Sequence, residues 1–267
     1  MAHVNNFDQF IPVIQSIKTS NPLAEPEVRR LLELNQEGGL ETVYAPFDHI
    51  AEHARLVIVG ITPGYAQATN ALNAAKSQLA QGGSPREASR AAKLTASFSG
   101  SSTRNNLVRM MDEIGLNKIF GIRSTSELFT EKGEYVHFTS ALRYPVFVNG
   151  TNYNGTPDML KTTVLRRMIE TCLAEEANLL RHAVWIPLGP KPAVALGHLV
   201  KLGILHADKI LDGMPHPSGA NAERVAAFLG TKSADQFSSK TNPGKIAAAK
   251  TALARKVARL AAKGEAA

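Results

Sequence analysis

A chain of 267 residues with 44% hydrophobic and 20% charged content has the apolar complement of a folded domain with one large core, which excludes fibrous and disordered classes. One cysteine, Cys172, excludes an internal disulfide and a cysteine-ligated iron–sulfur cluster, and the lack of a long apolar run or a signal-like start predicts a cytoplasmic protein with no membrane partner. The net charge of +7 is unevenly spread: residues 241–267 hold six Lys/Arg against Glu265, or +5, so the remainder is only about +2.

Helical patterns open the chain at residues 7–17 and 25–34, followed by a Gly38-Gly39 turn and a segment with Tyr44, Pro46 and Phe47. Four short apolar, β-branched runs read as buried parallel strands: 56–59, 136–142, 183–188 and the weaker 209–211. Between them lie helical patterns at 66–81, 85–94, 105–114, 160–180 and 192–202. A basic Ala/Lys/Arg helix from about 245 to 263 closes the chain, either as a solvated face or laid along a phosphate backbone. Alternation of strand and helix predicts an α/β fold with helices on both faces of a parallel sheet. Ligands bind such sheets at the carboxyl ends of the strands.

Two strand ends carry the informative residues. The first strand runs into Gly60-Ile61-Thr62-Pro63-Gly64-Tyr65 and a helix, a tight turn whose amides can receive an anion or the polar edge of a base. The last runs into Asp212-Gly213-Met214-Pro215-His216-Pro217-Ser218-Gly219-Ala220-Asn221, then a helix beginning near Glu223 and Arg224. A histidine between two prolines has a restricted backbone, so its ring can be aimed reproducibly. The Ser-Gly beside it offers a hydroxyl and bare amides suited to a phosphate. A third pattern, His49-Ile50-Ala51-Glu52-His53, has the His-x-x-Glu-His spacing of one metalloprotease class. With Pro46 just before it and a strand just after, under two helical turns remain, and no third ligand is evident. No metal is expected, and His3, His137, His182, His198 and His206 read as surface or packing residues.

Taken in order, the two turns resemble the signature of the uracil-DNA glycosylase superfamily, which pairs a first-strand Gly-x-x-Pro-(Gly/Tyr) loop with a late His-Pro-Ser-(Pro/Gly) loop. Ala96-Ser97-Phe98-Ser99 is similar to the segment whose phenylalanine stacks on a flipped base, Asn105-Asn106-Leu107 to the helix start after it, and 136–144 and 185–189 to the flanking strands. Tyr44-Ala45-Pro46-Phe47 and Ser140-Ala141-Leu142-Arg143-Tyr144-Pro145 look like a bacterial glycosylase-like branch without iron–sulfur cysteines, and the likeness spans roughly 40–230.

The resemblance implies a three-layer α/β/α sandwich around a central, mainly parallel four-stranded sheet. It would form a single domain over 1–240, with N-terminal helices to about 40 packed on it and 241–267 as a separate basic tail. It implies a monomeric DNA N-glycosylase without cofactor, acting on single- or double-stranded DNA that holds a damaged or modified base. His216 would donate to the base carbonyl and Thr62 would orient the water. Gly60, Ile61, Tyr65, Phe98 and Ser140 would hold the base, while Pro63, Gly64, Arg143, Ser218, Gly219, Asn221 and Arg224 would contact DNA. Three departures bear on substrate. Ile61 and Thr62 stand where the family carries a carboxylate or Asn for the water, Ser140 where it commonly has Asn, and Ala220 where a Leu often wedges into the vacated stack. A catalytically silent nucleic-acid or nucleobase binder on the same scaffold is the alternative.

Overall fold

The computed structural model describes residues 6–100 and 102–263. In chain order the elements are α1 (Phe7–Ser16), α2 (Pro26–Leu31), β1 (Glu33–Glu37), β2 (Leu40–Val43), β3 (Leu56–Gly60), α3 (Tyr65–Ala80), α4 (Pro85–Ala96), α5 (Thr103–Glu113) and α6 (Leu116–Ile119). There follow β4 (Val136–Ser140), β5 (Val146–Val148), β6 (Thr151–Asn152), α7 (Thr163–Met168), a π-helical turn (Ile169–Leu173), α8 (Ala174–Leu179), β7 (Val184–Pro187), α9 (Pro190–Lys201), α10 (Ala222–Leu229) and α11 (Pro243–Lys263). This is an α/β protein, as strand–helix alternation predicts.

The sheets differ from the expectation of one four-stranded parallel sheet. A three-stranded sheet has the order β4-β3-β7, with β3 and β7 parallel from Leu56↔Val184 to Val59↔Pro187. The fourth predicted strand, 209–211, contributes only single parallel bridges, Trp185↔Ile210 and Leu188↔Met214, beside β7. A second sheet, β1-β2-β5-β6, is antiparallel throughout. Its first hairpin replaces the end of the helix predicted over 25–34. α2 stops at Leu31, and the chain reverses at Gly38, whose φ of +57° places it in the left-handed region that glycine adopts without penalty.

The chain forms two units, each from three segments. The first comprises the described residues of Met1–Ile50, Ile61–Ser99 and Phe138–Leu179, and the second Ala51–Gly60, Gly100–His137 and the described residues of Leu180–Ala267. In the first unit α1 packs on α3 and α4, burying Phe7, Phe10 and Ile14 from one helical face. Ser84 and Glu87 close a capping box that starts α4. Two buried polar clusters sit among these apolar groups. Asp48 accepts hydrogen bonds from the Tyr44 hydroxyl (2.8 Å), the Tyr144 hydroxyl (2.7 Å) and the Asn6 amide (3.0 Å). Burial, with the Asp48 charge beside them, pushes both phenols above their ordinary range. The second cluster joins Lys93, Arg143, Glu175 and Glu176. Burial lowers the Lys93 ammonium to about 8 against the opposing pull of Glu176.

In the second unit every residue of β3 and β7 is buried, so the strands read as unbroken apolar runs. Ala195, Leu196 and Leu199 of α9, which packs on β7, join that core, while Val225 and Phe228 are buried from α10, which packs on α5 and α11. The C-terminal helix is part of this unit. α11 packs on α10 and α6 and buries Leu253, Val257 and Leu260. Its Lys250 bonds Glu113 at 2.7 Å and lies 6.0 Å from the Phe228 ring centroid. Among the described residues no helix is long and apolar enough to cross a membrane.

Candidate functional site

The residues singled out from the sequence fall into both units. Gly60, His216, Ser218, Gly219, Asn221 and Arg224 belong to the second. Gly60 is the buried last residue of β3, and the preceding Val59 carbonyl accepts from the Leu188 amide at 2.9 Å. The His216 loop leaves the sheet through the Leu188↔Met214 bridge, where the Gly189 amide donates to the Met214 carbonyl at 2.8 Å. Gly189 has φ +89°, and a Cβ there would sit 3.8 Å from the His216 amide nitrogen, so backbone conformation rather than space calls for glycine.

Two prolines flank His216, and the turn closes on the ring itself: the Ser218 amide donates to His216 Nδ1 at 3.2 Å. A ring nitrogen that accepts a hydrogen bond carries no proton, so the neutral imidazole holds its hydrogen on Nε2. Burial lowers the pKa of His216 below 6.5 and favours that neutral form. Beyond the turn, Asn221 Nδ2 donates to Ser218 Oγ at 3.0 Å, and Arg224 donates to Asn221 Oδ1 at 2.8 Å. This leaves the Ser218 hydroxyl oriented beside exposed Gly219 at the start of α10. Asn106 of α5, 111 residues away in sequence, donates from Nδ2 to the Pro217 carbonyl at 2.9 Å.

Ile61, Thr62, Pro63, Gly64, Tyr65, Phe98, Ser140 and Arg143 belong to the first unit. Here the structure revises several roles. The Thr62 hydroxyl donates to the Tyr144 carbonyl at 2.9 Å and accepts from the Val146 amide at 3.1 Å, while the Ile61 carbonyl accepts from the Leu142 amide at 2.9 Å. A hydroxyl has one proton, and Thr62 spends it on backbone; it ties the loop to the chain entering β5 instead of presenting a donor to water. Pro63 is buried, and the Gly64 and Tyr65 amides are occupied by Gln67 Oε1 (3.0 Å) and Asn152 Oδ1 (2.9 Å). Those two side chains cap α3, where the expectation placed DNA or base. The Tyr65 hydroxyl donates to Asn21 Oδ1 at 2.8 Å and its ring meets Phe147 edge-on.

Phe98 is 6% exposed, sits edge-on to Phe138 with centroids 5.8 Å apart, and has φ +51°. A bulky non-glycine residue in the left-handed region is an outlier that costs about 1–3 kcal/mol, and such strain concentrates at binding and catalytic sites. Ser140 ends β4, half-buried. Arg143 does not fit a DNA contact: it is 1% exposed and its guanidinium bonds Glu176 Oε1 (3.0 Å), Glu175 Oε2 (3.0 Å) and the Cys172 carbonyl of the π-helical turn (3.0 Å). Its planar fork is matched to the carboxylates and cannot also reach a phosphate.

Residues 49–53 are not helical, Glu52 and His53 are exposed, and the His49 carbonyl accepts from Lys93 Nζ at 2.7 Å. Among the described residues no group of three or more His, Cys, Asp or Glu could hold a metal. Sequence reasoning placed Asn106 only in a family-like helix start, without a role, and missed Asn152, Gln67 and Asp48. Gln67 lies three residues after the Gly64 N-cap, where its side chain can accept from the N-cap amide as in one half of a capping box; Asn106 and Asn152 act across long sequence separations, and Asp48 joins Asn6 and Tyr144 to its near neighbour Tyr44.

No family model and no solved structure matches the chain. A protein of Bacillus subtilis (strain 168), described as "Uncharacterized protein YoxB", is 36% identical over 226 residues, which cover 84% of this chain and 85% of that protein.

Proposed function

The chain belongs to the same family as YoxB, and we propose that it is a DNA N-glycosylase that extrudes a modified base and hydrolyses its N-glycosidic bond. The observation that carries this reading is His216: neutral, pre-aimed on a proline-fixed turn, and holding its hydrogen on Nε2. Cleavage of an N-glycosidic bond puts positive charge on the sugar and negative charge on the departing base. A fixed donor at the base carbonyl therefore stabilises the transition state more than the ground state. Ser218 and Gly219 at the head of α10 suit a flanking phosphate, with Asn221 and Arg224 behind them. In this reading the strands belong to the three-layer, four-stranded sandwich of the uracil-DNA glycosylase superfamily, with 209–211 as a reduced fourth strand.

The loop of Gly60 to Tyr65 contains no carboxylate, and the Thr62 proton is committed to backbone. Water activation is therefore weak, and the rate depends on how readily the base leaves. A modified base with an acidic ring nitrogen is the expected substrate, ahead of plain uracil. The test is a single-turnover assay on oligonucleotides carrying uracil, hypoxanthine, xanthine or bulky modified pyrimidines, with alkali to reveal abasic sites. Alkali-labile cleavage of at least one modified base, faster than of uracil, is expected. The same tied-up Thr62 favours a second reading, a silent binder of modified DNA. Tight binding to one of these oligonucleotides with no abasic product would establish it in place of the enzyme.

A further inference from the structure

We infer that Asn106 is a positioning residue for His216 and acts on it through a single peptide group. The geometry carries the inference. Asn106 Nδ2 donates to the Pro217 carbonyl at 2.9 Å, and the N–H of that same peptide unit, on Ser218, donates to His216 Nδ1 at 3.2 Å. A peptide unit is planar, with its C=O and N–H pointing in opposite directions, so holding the oxygen fixes where the hydrogen points. The Pro217 ring already fixes φ, which leaves its ψ as the soft torsion that would swing the plane. Asn106 stops that torsion from a firm base, because Leu107, Met110 and Met111 anchor α5 in the core. A hydrogen bond received at the carbonyl also polarises the amide and strengthens its donation to Nδ1.

Without the Asn106 donor the plane is free to turn, the Ser218 hydrogen leaves Nδ1, and the ring populates both tautomers. In the Nδ1–H tautomer, Nε2 becomes an acceptor and cannot serve a developing base anion. The role assigned to Asn106 rests on the glycosylase reading, but its physical content does not. It is measurable on the protein alone, without DNA.

The experiment is nitrogen NMR of ¹⁵N-histidine-labelled full-length protein at neutral pH, in the wild type, Asn106→Leu, Asn106→Ala and Asn105→Leu. In the wild type, His216 is expected to show one pyridine-like shift at Nδ1 and one pyrrole-like shift at Nε2. Asn106→Leu, nearly isosteric but without a donor, should draw the two shifts toward each other while the backbone amide spectrum elsewhere is kept. Asn106→Ala reports the same loss if the leucine does not fit, and Asn105→Leu, at an exposed neighbour, should leave the pattern unchanged. A protonated Nδ1 in the wild type overturns the inference before any variant is made. So does a wild-type pattern that survives both Asn106 substitutions. If a cleavable oligonucleotide is found, Asn106→Leu should slow single-turnover cleavage by about a hundredfold at unchanged DNA affinity. If none is cleaved and the tautomer still moves with Asn106, the glycosylase reading fails and the positioning role stands.

Discussion

Burial of the His216 imidazole lowers its pKa below 6.5, which sets its behaviour with pH. The folded state takes up a proton later than the unfolded chain as pH falls, so this residue's contribution to stability is full above about 6.5 and declines as pH drops through the folded value. Activity that needs the neutral ring should accordingly persist below pH 6.5 before it falls. A rate profile that drops at or above the ordinary histidine pKa would contradict the assignment. His216→Ala should retain the fold and lose about a hundredfold to a thousandfold in rate, the usual cost of one aimed donor; unchanged cleavage would make the turn structural. Thr62 is predicted to behave oppositely. Thr62→Val preserves shape but leaves the Tyr144 carbonyl and the Val146 amide without their partner. It should cost about 1–3 kcal/mol in denaturant titrations and little in kcat. A large kcat loss at full stability would restore Thr62 to the water.

Within the elements, Arg143 fastens the segment between β4 and β5 to α8 and the π-helical turn. Glu176 is 0% exposed, so Arg143→Met would leave that buried carboxylate without its nearest cation, facing Lys93 at 3.8 Å, and should destabilise the fold by about 3–5 kcal/mol, measured by urea unfolding. Arg143→Lys should recover part of that loss, and a cost below about 1 kcal/mol for the methionine variant would show that the cluster contributes little. The sequence disguised this residue, because the DNA contact was what the family resemblance implied for it and its carboxylate partners lie 32 and 33 positions away. The buried strands β3 and β7 were legible because burial on both faces demands unbroken apolar runs, and β4 because Val136, Phe138 and Thr139 keep strand-forming residues through it. The hairpin of β1 and β2 was not, since Glu33–Glu37 is mostly exposed and polar, with no alternation to betray a strand. What makes it a strand is pairing supplied by β2, which is in turn held by β5 more than a hundred residues downstream. The His216 turn was readable from its prolines, whereas Asn106 stood out only as part of a helix start, because the carbonyl it bonds lies 111 residues away.

For the molecule as a whole, charge is concentrated on α11. Its apolar face is seated by Leu253, Val257 and Leu260, while Lys245, Arg255, Lys256 and Arg259 are exposed, and 243–263 contains no acidic residue. If this face tracks phosphates, replacing those four residues by Ala should reduce the slope of log affinity for duplex DNA against log salt by about 3–4, uniformly across sequences. An unchanged slope would make the face purely solvating. Truncation is a poor substitute for these substitutions, because removing α11 also uncovers the packed surface of α10. Each unit is assembled from three stretches of chain, and the stretches alternate. During synthesis, then, the first unit lacks its final segment until Leu179 has emerged, and the second waits for the end of α11. Most of the polypeptide must be present before either can close its long-range contacts, so folding is delayed relative to translation and exposed to aggregation in the interval. Neither half can be obtained by cutting the gene at one point; a fragment ending near residue 100 or 180 would carry β3 without its partner β7.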